Sequence, residues 1–387
     1  MYLQTNKKEE CSGCGACMAV CSVGAISFKR IDGFLYPEID NGRCLHCNKC
    51  TVICNSLEST KNDGNIHDSY YAWNTNSTIR KSSTSGGVFP ALACAYLSKY
   101  PQASVYGAIY NDKFEVVHVG AESMDGVVPM CRSKYTQSDI TDVFARIKHR
   151  LDEGKHVLFS GTPCQVAAIK GVFKNHENLF TMDFICHGVS NPEVFKKYIN
   201  EIEEKYGSKV VEYSFRNKRK KIMSCTGKVV RIVFENGKSI ETENDTFYLA
   251  YQEMLCYRNS CYACKFASSK RCADITVGDY WHIEEDISKL KKQRSEGISL
   301  ILVNSEKGQR FVGELKKYCI MESGPYERAL AGQMLSPIKY NLNSDTILLD
   351  KPISKQIRDS ISIKKYLYYY FPRIYKILTK IWGTVKR

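Results

Sequence analysis

No stretch of this chain approaches the roughly 18 unbroken apolar residues of a membrane span, so an integral membrane protein is not expected. The opening segment, MYLQTNKKEEC, has no apolar run ahead of its first cysteine, which argues against a secretory signal. The G-x-G-x-x-G fingerprint is missing too, so a standard dinucleotide-binding fold is not indicated. Glycine (25) and proline (10) are modest, and 43% of residues are hydrophobic against 25% charged. Those proportions exclude a collagen-like or wholly disordered chain. With 387 residues, two or three folded units are expected. The expected compartment is the cytosol, where thiols stay reduced.

Against these absences stand 18 cysteines, ten of them in tight groups. In a reducing compartment they point to metal ligation before disulfides. Cys11, Cys14, Cys17 and Cys21 read C-x2-C-x2-C-x3-C, and Cys44, Cys47, Cys50 and Cys54 repeat that spacing. Two intervening residues let a short turn aim successive thiolates at one inorganic cube. The fourth cysteine of each run reaches the other cluster. Cys11, Cys14, Cys17 and Cys54 are thus assigned to one [4Fe–4S] cluster, and Cys44, Cys47, Cys50 and Cys21 to a second. A pair of zinc sites is the bland alternative, but zinc more often uses isolated C-x2-C pairs. Residues 1–58 resemble a bacterial-type two-cluster ferredoxin. They depart from it at Ser22 and Asn55, where proline often follows the fourth cysteine. A unit this small needs its clusters for much of its folding energy.

Residues 59–68 are polar and read as a linker. Beyond them, strand and helix signals alternate. An apolar run at 157–160 is broken by Gly161-Thr162-Pro163 and followed by helical spacing at 165–173. A strand at 179–186 precedes a loop at 187–190 and a helix from Pro192 to about 206, capped by Ser190 or Asn191. A third pair places a strand at 300–303 and a helix to about 318. This alternation predicts an α/β core, whose ligands bind at the carboxyl ends of its strands. The segments 229–234 and 239–243, separated by Asn236-Gly237, read as a β-hairpin. The fold class expected is multidomain, α+β with α/β: a ferredoxin (1–58), a linker (59–68), a larger domain with an inserted hairpin (69–345), and a tail (346–387).

Four further cysteines lie in loop-like places. Cys164 follows one strand, Cys186 ends another, and Cys261 and Cys264 form a C-x2-C. Parallel neighbouring strands would bring the first two to one sheet edge, where the C-x2-C could complete four thiolates. Two rivals remain on spacing alone. One is a zinc site of Cys256, Cys261, Cys264 and Cys272. The other makes Cys164 a nucleophile with His187 as its base. Cys94, Cys131, Cys225 and Cys319 read as small buried hydrophobes.

Ser85-Gly86-Gly87-Val88, Ser133-Lys134-Tyr135-Thr136, GTPCQ, DFICHG, FRNK and SCYACKFASSKRCADITVGDYW occur in this order over residues 70–320. Together they resemble the family of beta subunits of coenzyme F420-reducing hydrogenases and formate dehydrogenases. That resemblance implies FAD beside one [4Fe–4S] cluster held by Cys164, Cys186, Cys261 and Cys264. Ser85, Gly86 and Gly87, at a helix start, suit a phosphate; an ordinary cap is the alternative. Lys134, Tyr135 and Thr136 suit the flavin, or else form a solvent-facing turn. Asp279 and Trp281 read as a cap and a core residue.

One chain would then hold FAD and three clusters, an iron–sulfur flavoprotein oxidoreductase joining two-electron to one-electron chemistry. An electron-relay subunit without a substrate pocket is the alternative. No catalytic residue is identified. Coenzyme F420, NAD(P)H or a small organic molecule are equal candidates for the hydride partner, with a redox protein at the ferredoxin end. No nucleic-acid fold signature is present. The basic run Arg216, Lys218, Arg219, Lys220 and Lys221 reads as a solvated face, with attraction of an acidic cofactor as the alternative. The net charge is +14, and residues 351–387 hold ten Lys/Arg against Asp359 alone. Their aromatic, basic composition, with a helix expected at 373–382, suits peripheral contact with an anionic membrane; docking on protein is the alternative.

Overall fold

The computed structural model describes residues 1–62, 68–174, 176–218, 229–331, 333, 335–336 and 351–360. It contains thirteen strands among these residues. They are β1 (Ile26–Ile31), β2 (Phe34–Ile39), β3 (Asp68–Asn74), β4 (Ser104–Tyr110), β5 (Val116–Ala121), β6 (Val157–Gly161) and β7 (Leu179–Phe184), followed by β8 (Val210–Ser214), β9 (Val230–Phe234), β10 (Ser239–Thr242), β11 (Ile275–Asp279), β12 (Ser299–Val303) and β13 (Cys319–Ser323).

The N-terminal unit is small. Strands β1 and β2 pair antiparallel, and the short helices Ala16–Ala19 and Lys49–Ser56 flank them. Its own apolar centre holds Tyr2, Phe34 and Tyr36. Ala16 and Leu57 bury elsewhere, against Phe144, Val166 and Ile169 of the larger body. The ferredoxin-like unit therefore shares part of its core with its neighbour.

That neighbour is built on an eight-stranded sheet in the order β13-β3-β12-β11-β7-β6-β4-β5. Strands β4, β6, β7 and β11 run parallel; β5, β12, β3 and β13 are added antiparallel. The parallel strands are short apolar runs because both sheet faces are covered. One face packs on the helices Val88–Lys99 and Glu306–Leu315, with Val105, Leu158, Phe180 and Ile301 between them. The other packs on Val143–Asp152 and Pro163–Phe173, the helices that also receive Ala16 and Leu57. The sequence reading of alternating strand and helix holds for this mixed α/β sheet. Helix Pro192–Tyr206 starts where its cap implied: Asn191 Oδ1 accepts from Glu193 N (2.9 Å) and Val194 N (3.3 Å).

A second sheet, β10-β9-β8, is antiparallel throughout. It packs with Pro192–Tyr206, Thr246–Gln252 and Ile353–Ser360; Ile353 and Ile357 are fully buried there. No helix among the described residues is long and apolar enough to cross a membrane. The helix expected at 373–382 lies outside the described residues, as do Arg219, Lys220, Lys221 and Cys225.

Candidate cluster and flavin site

Strands β6 and β7 are parallel neighbours, so their carboxyl ends lie side by side. Thr162 follows β6, and its backbone N donates to Gln165 Oε1 (3.0 Å), closing the first turn of Pro163–Phe173. Cys164 rides on that turn. Cys186 stands two residues beyond β7. Cys261 comes from the short helix Asn259–Tyr262, and Cys264 follows it. One cavity of about 420 Å³ is lined by these four cysteines and also by Cys11, Cys14, Cys17 and Cys54.

The electrostatics sort these eight thiols into two adjacent groups. Burial pushes Cys14 up to about 11, with Cys11 and Cys54 adding to the shift. Cys17 is raised by burial and by Cys14, Cys11 and Cys54. Cys186 is pushed up to about 12 by burial and then by Cys261 and Cys264. Cys261 reaches about 12 by burial, helped by Cys164 and Cys264. Cys164, raised chiefly by burial, feels Cys264, Cys186 and also Cys14. Buried thiols that raise one another are disfavoured as bare thiolates, and a bound cation is the kind of partner that would deprotonate them.

The loops share one turn. Gly13 N donates to Cys11 Sγ, His46 N to Cys44 Sγ and Gly188 N to Cys186 Sγ, each at 3.4 Å. The donor residue has positive φ in all three: 68° at Gly13, 50° at His46 and 122° at Gly188. Such N–H···S bonds offset charge on a ligating sulfur. The Cys186 loop thus repeats the ferredoxin turn outside the ferredoxin. Cys21, Cys44, Cys47 and Cys50 lie apart from the cavity; Cys47 is exposed, and Cys21 Sγ accepts from Ala25 N at 3.2 Å.

The rivals fare differently. Cys256 is buried in the core beneath β8 and β9, whereas Cys272 belongs to the core under Phe159 and Val166. The groups that shift Cys256 and Cys272 include no cysteine, unlike those that shift Cys261. Cys164 Sγ lies 3.1 Å from Thr162 Oγ1 and carries a strongly raised pKa, which makes it a poor nucleophile. Among the described residues every cysteine is free, and no group of three or more His, Cys, Asp or Glu side chains forms a site for a single metal ion.

A second cavity, about 570 Å³, adjoins the first; Cys186, His187, Gly188 and Val189 line both. Its size suits an organic cofactor. Ser85, Gly87, Lys134, Tyr135 and Thr136 line it. Gly86 does not: its amide donates to Ser299 Oγ (2.9 Å), and a Cβ there would stand 2.5 Å from Ala72 O. Lys134 is drawn down to about 8 by burial, and its Nζ donates to Cys131 O at 3.0 Å. Tyr135 packs on Tyr251 and Tyr248, ring centroids 4.2 and 5.5 Å away. Thr136 Oγ1, His118 Nδ1 and Arg216 Nε are buried on this lining without a hydrogen-bond partner. Such orphaned polar atoms beside an apolar wall fit a bound flavin and its polar edge. Burial and Arg216 hold His187 below its usual range.

Residues 154–328 match the model for the C terminus of the coenzyme F420 hydrogenase/dehydrogenase beta subunit, and residues 10–56 match a 4Fe-4S dicluster domain. The chain is thus similar to a dicluster iron–sulfur domain over residues 10–56 and to the C-terminal part of that beta-subunit family over residues 154–328. A curated relative, one of the subunits of the F(420)H(2) dehydrogenase of Methanosarcina mazei, is 23% identical over 211 residues, 50% of this chain and 60% of the relative. The chain thus spans less than two thirds of that protein's length. A chain of the F420-reducing [NiFe] hydrogenase complex from Methanosarcina barkeri is 16% identical, with a TM-score of 0.47 over 78% of this chain and 89% of that one.

Several residues of the beta-subunit domain escaped sequence reasoning. Arg216 and Lys218 are not a solvated face. Arg216 pairs with Asp279 at 2.8 Å, so Asp279 is a counter-charge and not a cap. Lys218 Nζ donates to Arg80 O, Ser85 O and Glu296 O at 2.6–2.7 Å, pinning the loop before Gly86. Trp281 is half-buried on the cavity wall, not in a core. The one signal for Arg216 and Lys218 was alternation: they share a parity within the basic run. Gln137 and Arg258, between the two domains, carried no signal.

Proposed function

We propose that this chain is an iron–sulfur flavoprotein oxidoreductase with three [4Fe–4S] clusters and one FAD. In this reading Cys11, Cys14, Cys17 and Cys54 hold one cluster, Cys21, Cys44, Cys47 and Cys50 a second, and Cys164, Cys186, Cys261 and Cys264 a third. Bound FAD would supply both two-electron exchange with a hydride partner and one-electron exchange with clusters. The chain's residues do the rest. Tyr135, Tyr248 and Tyr251 exclude water from one wall of the flavin cavity. Thr136, His118 and Arg216 offer polar atoms to its contents. The loop Cys186–Val189 forms the wall between flavin and third cluster. The beta-subunit domain is proposed as residues 69–345 and the dicluster domain as 1–58.

The observation that carries the reading is the shared wall: one loop bears a cluster ligand and faces both cavities. It supports an order from flavin to third cluster to Cys11 cluster, and the exposure of Cys47 puts the remaining cluster at the outer end in this reading. The hydride partner is proposed to be coenzyme F420, on the family match and the name of the curated relative. That relative is one subunit of a dehydrogenase, which favours a second reading as an electron relay within a larger assembly. Iron, sulfide and flavin analysis of anaerobically purified protein tests the first reading. About twelve irons with one FAD per chain, and bleaching of that flavin by reduced F420, are expected. Eight irons without flavin would leave the relay reading alone.

A further inference from the structure

Arg258 is among the largest fully buried side chains and has no solvent exposure. No carboxylate among the described residues pairs with it. Its Nε donates to Cys11 O (2.7 Å) and its Nη2 to Leu35 O (2.9 Å), both in the dicluster domain. Its guanidinium lies 4.1 Å from the Tyr36 ring centroid. Its backbone faces the other way: the amide donates to Val189 O (3.0 Å), and the carbonyl accepts from Cys261 N (2.8 Å). One residue thus ties the Cys11 loop to the loops of Cys186 and Cys261.

Arg258 Nη1 is buried without a partner, as is Gln137 Nε2. Both crowd Gly13, midway between Cys11 and Cys14: a Cβ there would stand 2.3 Å from Gln137 Nε2 and 3.2 Å from Arg258 Nη1. A guanidinium buried without counter-charge is strongly disfavoured. A four-iron cluster on four thiolates is net negative, and more so when reduced. One such site abuts this side chain through the Cys11 loop, and the other lies against its backbone through the loops of Cys186 and Cys261.

We propose that Arg258 is the shared counter-charge of the Cys11/Cys14/Cys17/Cys54 cluster and the Cys164/Cys186/Cys261/Cys264 cluster, favouring their reduced forms where electrons cross between the domains. The inference rests on the three-cluster reading above. Arg258 touches no reacting atom, so it is a positioning and tuning residue. Its charge, not only its hydrogen bonds, is the working part. The Cys21/Cys44/Cys47/Cys50 cluster, whose loops it does not touch, is outside its reach.

The test is a redox titration of the holoprotein, following each cluster by electron paramagnetic resonance, for wild type, Arg258→Gln and Arg258→Lys. Arg258→Gln should lose about tenfold in the reduction equilibrium of two clusters, a fall of about 59 mV each, with the third unmoved and all iron retained. Arg258→Lys should stay within about twofold of wild type. Unmoved potentials in Arg258→Gln, or an equal shift in all three clusters, overturns the proposal. Should Arg258→Gln lose iron, Arg258→Lys decides. Iron and potentials kept by lysine support the charge. Loss or an equal shift with lysine reduces Arg258 to a structural clamp. A wild type with fewer than three clusters instead sinks the underlying assignment.

Discussion

At the scale of single residues, the cysteines divide by what surrounds their sulfur. Cys164 and Cys261 feel other thiols; Cys256 feels Ser190 and the backbone of Asn191. Cys164→Ala and Cys261→Ala should therefore each lose about four of twelve irons. Cys256→Ala should lose none. Iron analysis decides it, and full retention in the first two variants would sink the third-cluster assignment. Glycine 86 separates packing from ligand binding in the same way. Its missing Cβ is required by Ala72 O at 2.5 Å and Ser299 N at 2.9 Å. Gly86→Ala should cost about 1–3 kcal/mol by overpacking, read as a lower unfolding midpoint whether or not flavin is present. A variant as stable as wild type but empty of flavin would instead make this amide a cofactor contact.

At the scale of elements, what was legible follows from local chemistry. The duplicated cysteine run fixes its turns by itself: positive φ recurs at Gly13 and Gly15, then at His46 and Asn48, 33 residues on. The cap at Asn191 and the apolar runs of β6, β7 and β12 are equally local signals. The partners of β3, β5 and β13 are not, because strand order is set by long-range pairing that alternation does not encode. The same holds for buried charge. Arg271 reads as one more basic residue in KRCAD, yet its side chain is 2% exposed and pairs with the fully buried Asp183 at 3.0 Å, bridging β7 to the segment before β11. Burial alone raises the Asp183 carboxyl, and Arg271 opposes that shift. Arg271→Met strands a buried carboxylate and should cost about 3–5 kcal/mol. Replacing both partners with apolar residues should cost less than the single change. Chemical denaturation of Arg271→Met, Asp183→Leu and the double variant checks the ordering, and an additive double variant would deny the coupling.

At the scale of the whole molecule, stability is unevenly owned. The eight-stranded sheet has two large apolar cores, one on each face. The dicluster domain has Tyr2, Phe34 and Tyr36, and otherwise leans Ala16 and Leu57 on its neighbour. In the proposed reading its remaining cohesion comes from eight thiolates around iron and from the clamp of Arg258, Gln137 and Asn191, whose Nδ2 donates to Asp32 O at 2.7 Å. A small unit with so little core folds on its metal. Removing iron anaerobically with a chelator should therefore release residues 1–58 first. Amide hydrogen exchange should rise by orders of magnitude across β1 and β2 while β4, β6 and β7 stay protected. The loops of Cys186 and Cys261 should loosen with the dicluster domain, since Arg258 binds both sides of the boundary. Uniform protection after complete iron loss would mean that packing against the larger body alone holds the N-terminal unit. The clusters would then be passengers of the fold and not part of its framework.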